Sequence, residues 1–140
     1  MAVFIRGMTG ATGNWYCGLH EVHEMAFVLH LLQSGEHFVD VGANIGIYTV
    51  LADGGVNVHV TAVEPKPATF AHLRRNVALN GMNDWVRCSQ VGLSDKPGLL
   101  RFSSDLDTVN HVLAKGEYPP GVDVPVTRLD DLWVRRASAY

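Results

Sequence analysis

The stretch Asp40-Val41-Gly42-Ala43-Asn44-Ile45-Gly46 constrains the fold of this chain more than any other. It begins inside Phe38-Val39-Asp40-Val41, short and rich in β-formers, and runs into Ile47-Tyr48-Thr49-Val50-Leu51-Ala52, which reads as a helix. A glycine turn between a strand and a helix opens a βαβ unit. Gly42 and Gly46 remove side chains where the backbone turns sharply. The helix is expected to stop at Asp53-Gly54-Gly55. A second strand, Val58-His59-Val60-Thr61-Ala62-Val63, ends at Glu64-Pro65. Pro67 suits the first turn of the next helix, where its missing N–H is no loss. Phe70, Leu73 and Val77 then form an apolar stripe opposite His72, Arg75 and Asn76, up to Asn80-Gly81. A third strand is expected at Val86-Arg87-Cys88-Ser89-Gln90-Val91.

Before this unit, Leu19, Val22, Met25, Ala26, Leu29 and Leu32 recur at helical spacing, with Glu21, Glu24 and His30 turned elsewhere and Ser34-Gly35 as the stop. After Ser94 the pattern changes. Asp95-Lys96-Pro97-Gly98 is a turn, Leu99-Leu100-Arg101-Phe102 alternates, and residues 122–129 alternate again around Pro125, which points to an edge or bulge position. Asp130-Asp131-Leu132-Trp133 opens a short closing helix. The expected fold is α/β: a Rossmann-like parallel sheet with crossover helices and an antiparallel β-ribbon in the C-terminal part. The expected organisation is a single domain over 1–140, with a loose arm (1–14), a βαβ core (15–93), and a ribbon with tail (94–140).

Composition narrows the function classes. The chain has 140 residues, enough for one core, and 47% hydrophobic residues, which excludes a disordered chain. A net charge of −3 gives no nucleic-acid footprint. No apolar run approaches the ~18 residues of a membrane helix, and the start lacks the features of a signal peptide. Two cysteines, Cys17 and Cys88, cannot build a disulfide framework. A cytoplasmic domain without membrane or nucleic-acid partners is the expectation.

The chemistry centres on the glycine turn. The helix start at Ile47 presents N–H groups and a partial positive charge to a carboxylate or phosphate. Glu64 ends the next strand at the same sheet edge, where a carboxylate can accept hydrogen bonds from both hydroxyls of a ribose. Together they describe a nucleoside with an anionic tail. NAD and S-adenosylmethionine both answer to that description. The nicotinamide fingerprint is G-x-G-x-x-G, whereas this loop is Gly42-x-x-x-Gly46 with Asn44 at the second glycine position, so NAD is disfavoured. A methionine tail demands less clearance, and Asp40 can face its ammonium directly or through water. The competing reading is a glycine turn needed only to pack a helix on a strand.

The residues from Asp40 to Thr49, then Ala62-Val63-Glu64-Pro65, then Leu73-Arg74-Arg75-Asn76-Val77-Ala78-Leu79-Asn80, resemble the FkbM family. Gly92-Leu93-Ser94-Asp95, Pro97-Gly98, Val109-Asn110-His111-Val112 and the segment 126–132 are similar to its later blocks, in the same order. Trp15-Tyr16 with Glu21 and Glu24 is similar to the helix before its first strand. The resemblance implies an S-adenosylmethionine-dependent methyltransferase of the class I, Rossmann-like fold, acting on hydroxyl oxygens of sugars, lipids or other small molecules. Carried over by position, Asp40, Gly42, Ala43, Asn44 and Gly46 would line the methionine end. Glu64 would hold the ribose, and the backbone around Gly92 and Leu93 would flank the adenine.

Family members continue past Leu129-Asp130-Asp131-Leu132 into a strand carrying Asp-Val-Glu-Gly, which this sequence lacks. The expectation is therefore a truncated version of the fold whose first strand is left with one open side. That strand would pair with a second copy, giving a homodimer or higher homo-oligomer, or be crossed by the ribbon. A shortened, non-catalytic interaction protein is the alternative to the enzyme, and a small NAD-dependent oxidoreductase is a third reading. Asp105, Asp107 and His111 are candidate bases by composition alone, Asn110 has no assigned role, and no catalytic base is named. Cys17, His20 and His23, three residues apart, share a helical face, but Glu24 stands where H-E-x-x-H needs its second histidine, and no metal is expected.

Overall fold

The computed structural model describes residues 21–103 and 121–132. The chain divides into two compact units, Met1–Gln90 and Val91–Tyr140. The first contains α1 (Val22–Leu31), β1 (His37–Val41), α2 (Ile47–Val56), β2 (His59–Val63), α3 (Pro67–Leu79) and β3 (Val86–Ser89). Its three strands are parallel in the order β1-β2-β3, with α2 and α3 as the crossovers. The βαβ reading of the sequence is the observed fold, an α/β unit of Rossmann-like build. Val60 of β2 is flanked by Phe38 and Val86 in register. Around it Val50, Ala52, Val58, Ala62, Leu73, Val77 and Met82 form the core. Among the described residues β1 pairs with β2 alone.

In this unit β3 ends at Ser89 rather than Val91, and three larger features differ from the sequence reading. First, α2 does not stop at Asp53-Gly54-Gly55 but runs to Val56, and Asn57, left-handed at φ 64°, ends it by donating its N–H to the Asp53 carbonyl at 2.8 Å. The two glycines lie close against side-chain tips from elsewhere in the chain. A Cβ on Gly55 would stand 2.8 Å from Leu29 Cδ2, and one on Gly54 3.1 Å from Met82 Cε. Second, α1 ends at Leu31, with Leu32 already extended, so Gly35 serves the following turn. Met25 is the buried residue of its stripe, while Val22, Phe27 and Leu31 are exposed. Third, Asn76 lies on the buried face of α3 beside Leu73 and Val77.

The second unit contains β4 (Gly92–Leu93), β5 (Gly98–Ser103) and β6 (Gly121–Thr127), in the order β4-β6-β5. The antiparallel ribbon is β5 with β6, and β4 joins β6 in parallel. Gly92 and Leu93 thus belong to this sheet. Val124 and Val126 are buried and Asp123 and Pro125 exposed, as the alternation of the sequence expects, whereas Val122, the first residue of that pattern, is exposed. Pro125 nevertheless lies on the middle strand rather than an edge. It is tolerated because β4 pairs only with Val126 and Thr127, leaving Pro125 beside the end of that pairing. One helical turn follows at 129–132. No helix of the described residues is long and apolar enough to cross a membrane. The arm at 1–14 and the tail beyond 132 lie outside the described residues.

Candidate functional site

β1 and β2 end level, with Val41 opposite Val63. The loop leaving β1 stays attached to β2, because the N–H groups of Gly42 and Ala43 both donate to the Val63 carbonyl, at 2.9 and 3.0 Å. Glu64 follows immediately. Its Oε2 accepts the Asn44 N–H at 3.0 Å and its Oε1 accepts the Lys66 N–H at 2.9 Å. Asn44 is left-handed at φ 50°, and the Gly46 N–H closes the turn onto the Ala43 carbonyl at 2.8 Å. Glu64 and the glycine loop therefore share one edge of the sheet.

The two glycines serve different ends. Gly42 has φ 71° and is exposed, and a Cβ there would meet nothing within 4 Å, so its peptide is open to close approach. Gly46 has φ 89° and is buried, and a Cβ there would stand 2.5 Å from Leu73 Cδ1. For Gly46 the packing explanation suffices. Asn76, one turn beyond Leu73 on α3, donates its side-chain amide to the Ile45 carbonyl at 2.7 Å and is fully buried. Its i+3 spacing from Leu73 is compatible with the stripe, but its polar type argued for the opposite face, where the sequence reading put it.

Asp40 is buried one residue before the strand tip. Thr49 donates its hydroxyl to Asp40 Oδ2 at 2.5 Å, and its backbone N–H points to the same carboxylate. Burial raises the Asp40 pKa above the ordinary carboxylate value, against these two bonds, which lower it. Burial likewise raises Glu64. The Lys66 and Asn44 N–H groups and the Lys66 charge oppose the shift, and the Asp40 charge adds to it. Tyr48, next to the start of α2, donates to Glu21 Oε2 at 2.7 Å. Burial, this bond, and the charges of Glu21, Glu24 and Asp40 push its phenol up to about 12.

Asp40, Gly42, Ala43, Asn44, Gly46 and Glu64 thus come together, although the Ala43 side chain is buried, so only its backbone can serve a ligand. Gly92 and Leu93 sit in the sheet of the second unit, where Gly92 is buried against Val126 and Phe102. Asp105, Asp107, Asn110, His111, Cys17 and His20 lie outside the described residues. His23 and Glu24 are exposed on α1. Among the described residues no three His, Cys, Asp or Glu side chains are grouped to hold a metal.

The family model described as the methyltransferase FkbM domain matches residues 40–138. The chain is 39% identical over 75 residues to the 31-O-demethyl-FK506 methyltransferase FkbM of Streptomyces tacrolimicus, which is 51% of this chain and 27% of that protein. It is 37% identical over 70 residues to the methyltransferase sdnD of Sordaria araneosa, covering 49% and 27%. The matched stretches therefore span about a quarter of these relatives. Among solved structures, P. horikoshii TYW2 in complex with MeSAdo is similar at 28% identity and TM-score 0.49, over 55% of this chain and 29% of that one. With the family model covering most of its length and the family's glycine loop at the tip of its first strand, the chain belongs to the FkbM methyltransferase family.

Proposed function

We propose that the chain binds S-adenosylmethionine at this sheet edge, as the donor-binding part of an O-methyltransferase for a small-molecule or sugar hydroxyl. The observation that carries the reading is the Glu64 carboxylate at the tip of β2, bonded to the backbone of the loop that follows β1. Each carboxylate oxygen has two acceptor sites, so with one backbone N–H apiece Glu64 keeps capacity for the two hydroxyls of a ribose. Open space over Gly42 suits a methionine tail, and the Asp40 carboxylate, in its ionised form, suits its ammonium. The donor set fits a cationic nucleoside better than a dinucleotide. A pyrophosphate needs the close backbone approach that a second glycine permits, and Asn44 stands at that position. The relative whose name specifies 31-O-demethyl-FK506 supports oxygen as the acceptor atom.

When bound, the donor supplies a methyl group on a sulfonium. Glu64, Asp40 and the Gly42–Gly46 loop would hold this donor, whose sulfonium would supply the methyl group to an acceptor hydroxyl oxygen, with release of the thioether and of the hydroxyl proton. These residues bind and orient the donor, and full alignment of donor with acceptor supplies at most ~7–11 kcal/mol to such a step. Titration calorimetry with S-adenosylhomocysteine tests the reading. The intact chain is expected to bind, and Glu64→Ala to bind at least ~10-fold more weakly. A folded chain that binds none of it favours a non-catalytic scaffold.

A further inference from the structure

We infer that Asn76 is a positioning residue, which holds the Ile45–Gly46 peptide in the orientation the donor loop needs. This rests on the donor reading above. A primary amide with no exposed surface is an expensive core residue unless it is bonded, and a leucine would fill a helix face more cheaply. Its partner is the Ile45 carbonyl, at 2.7 Å, in the turn between β1 and α2. The carbonyl and N–H of one trans peptide point in opposite directions. Drawing the Ile45 carbonyl toward α3 therefore aims the Gly46 N–H away from it, onto the Ala43 carbonyl at 2.8 Å. Leu73, one turn earlier on α3, fills the space of a Cβ at Gly46. Glu64 takes the Asn44 N–H from β2. The left-handed turn is thus gripped by a carboxylate on one peptide and an amide on another. Without Asn76 the Ile45 carbonyl loses this partner, the Ile45–Gly46 peptide is held through the Gly46 N–H alone, and the Asn44 N–H loses part of its alignment with Glu64.

The test uses Asn76→Leu and Asn76→Asp, with Val86→Ala as a control that weakens the same core at the opposite end of the strands. S-adenosylhomocysteine affinity is measured by calorimetry on protein shown to be folded by circular dichroism. Amide exchange is followed by NMR. Both Asn76 variants are expected to bind about 10-fold more weakly, with faster exchange at Asn44 and Gly46 and unchanged exchange in β2. Val86→Ala is expected to keep wild-type affinity. An Asn76 variant within twofold of wild type, or an equal loss in Val86→Ala, overturns the inference while leaving the donor reading intact. Should neither Asn76 variant fold, the wild-type Asn76 side-chain amide decides. Its resonances are expected to shift on saturation with S-adenosylhomocysteine, and unmoved resonances overturn the proposal. A wild-type chain that binds no S-adenosylhomocysteine overturns the donor reading and this inference together.

Discussion

The backbone N–H of Asn44 donates to Glu64 Oε2 across the tips of β1 and β2 at 3.0 Å, so the acidic side chain expected to meet a ribose also holds the glycine loop in shape. Glu64 has both oxygens on backbone donors. Glu64→Gln would turn one of them into an amide facing an N–H. It should cost the free protein about 1–3 kcal/mol, more than its close match in size suggests. Chemical denaturation of Glu64→Gln beside wild type measures this, and equal stabilities would show that the backbone bond lost to the amide carries no weight.

Gly42→Ala and Gly46→Ala separate the two roles of glycine. Both force a left-handed alanine, which costs about 1–2 kcal/mol. Only Gly46→Ala also drives a methyl into Leu73, adding about 1–3 kcal/mol. The double variant Gly46→Ala/Leu73→Ala should show favourable coupling in a mutant cycle. Gly42→Ala should lose ligand affinity out of proportion to its small loss of stability, because its methyl occupies the open side of the loop.

Helix propensity says that Gly55→Ala in α2 should stabilise the chain by about 0.5–1 kcal/mol. Leu29 Cδ2, the tip of a half-buried side chain, lies 2.8 Å from that methyl and must turn aside to admit it, which reduces the gain. Thermal unfolding should show a rise in midpoint smaller than propensity alone gives for Gly55→Ala, and a larger rise when Gly55→Ala is made in a Leu29→Ala background than the same glycine change makes in the wild type.

Burial lifts Asp40 above the ordinary carboxylate value. Between the two values the folded chain holds a proton that the unfolded chain has released. Stability therefore falls as pH rises across that window and levels off above it. Denaturation of wild type and Asp40→Asn from about pH 4 to pH 8 should show the wild type losing ground to the variant as pH rises. Binding of a cationic donor runs the other way, strengthening as Asp40 and Glu64 ionise. A stability difference that is flat over the range would contradict the buried state of Asp40.

The joint from β1 through the loop to α2, and Glu64 after β2, were legible in the sequence because strand, turn and helix there are specified by near neighbours. The features that were not legible depend on distant partners. Asn76 looks polar and outward until the Ile45 carbonyl, 31 residues away, is placed beside it. Gly54 and Gly55 look like a stop until Leu29 and Met82 arrive against them. Pro125 looks like an edge residue because nothing local reveals that β4 pairs only with the two residues after it.

Thr49 offers its hydroxyl and its backbone N–H to Asp40, so the fold supplies its own anion to the first turn of α2. An incoming phosphate would have to share that turn with a built-in negative charge, whereas a guest bearing a positive charge meets no such rival. Nucleoside triphosphates should therefore compete poorly for this loop even at high concentration.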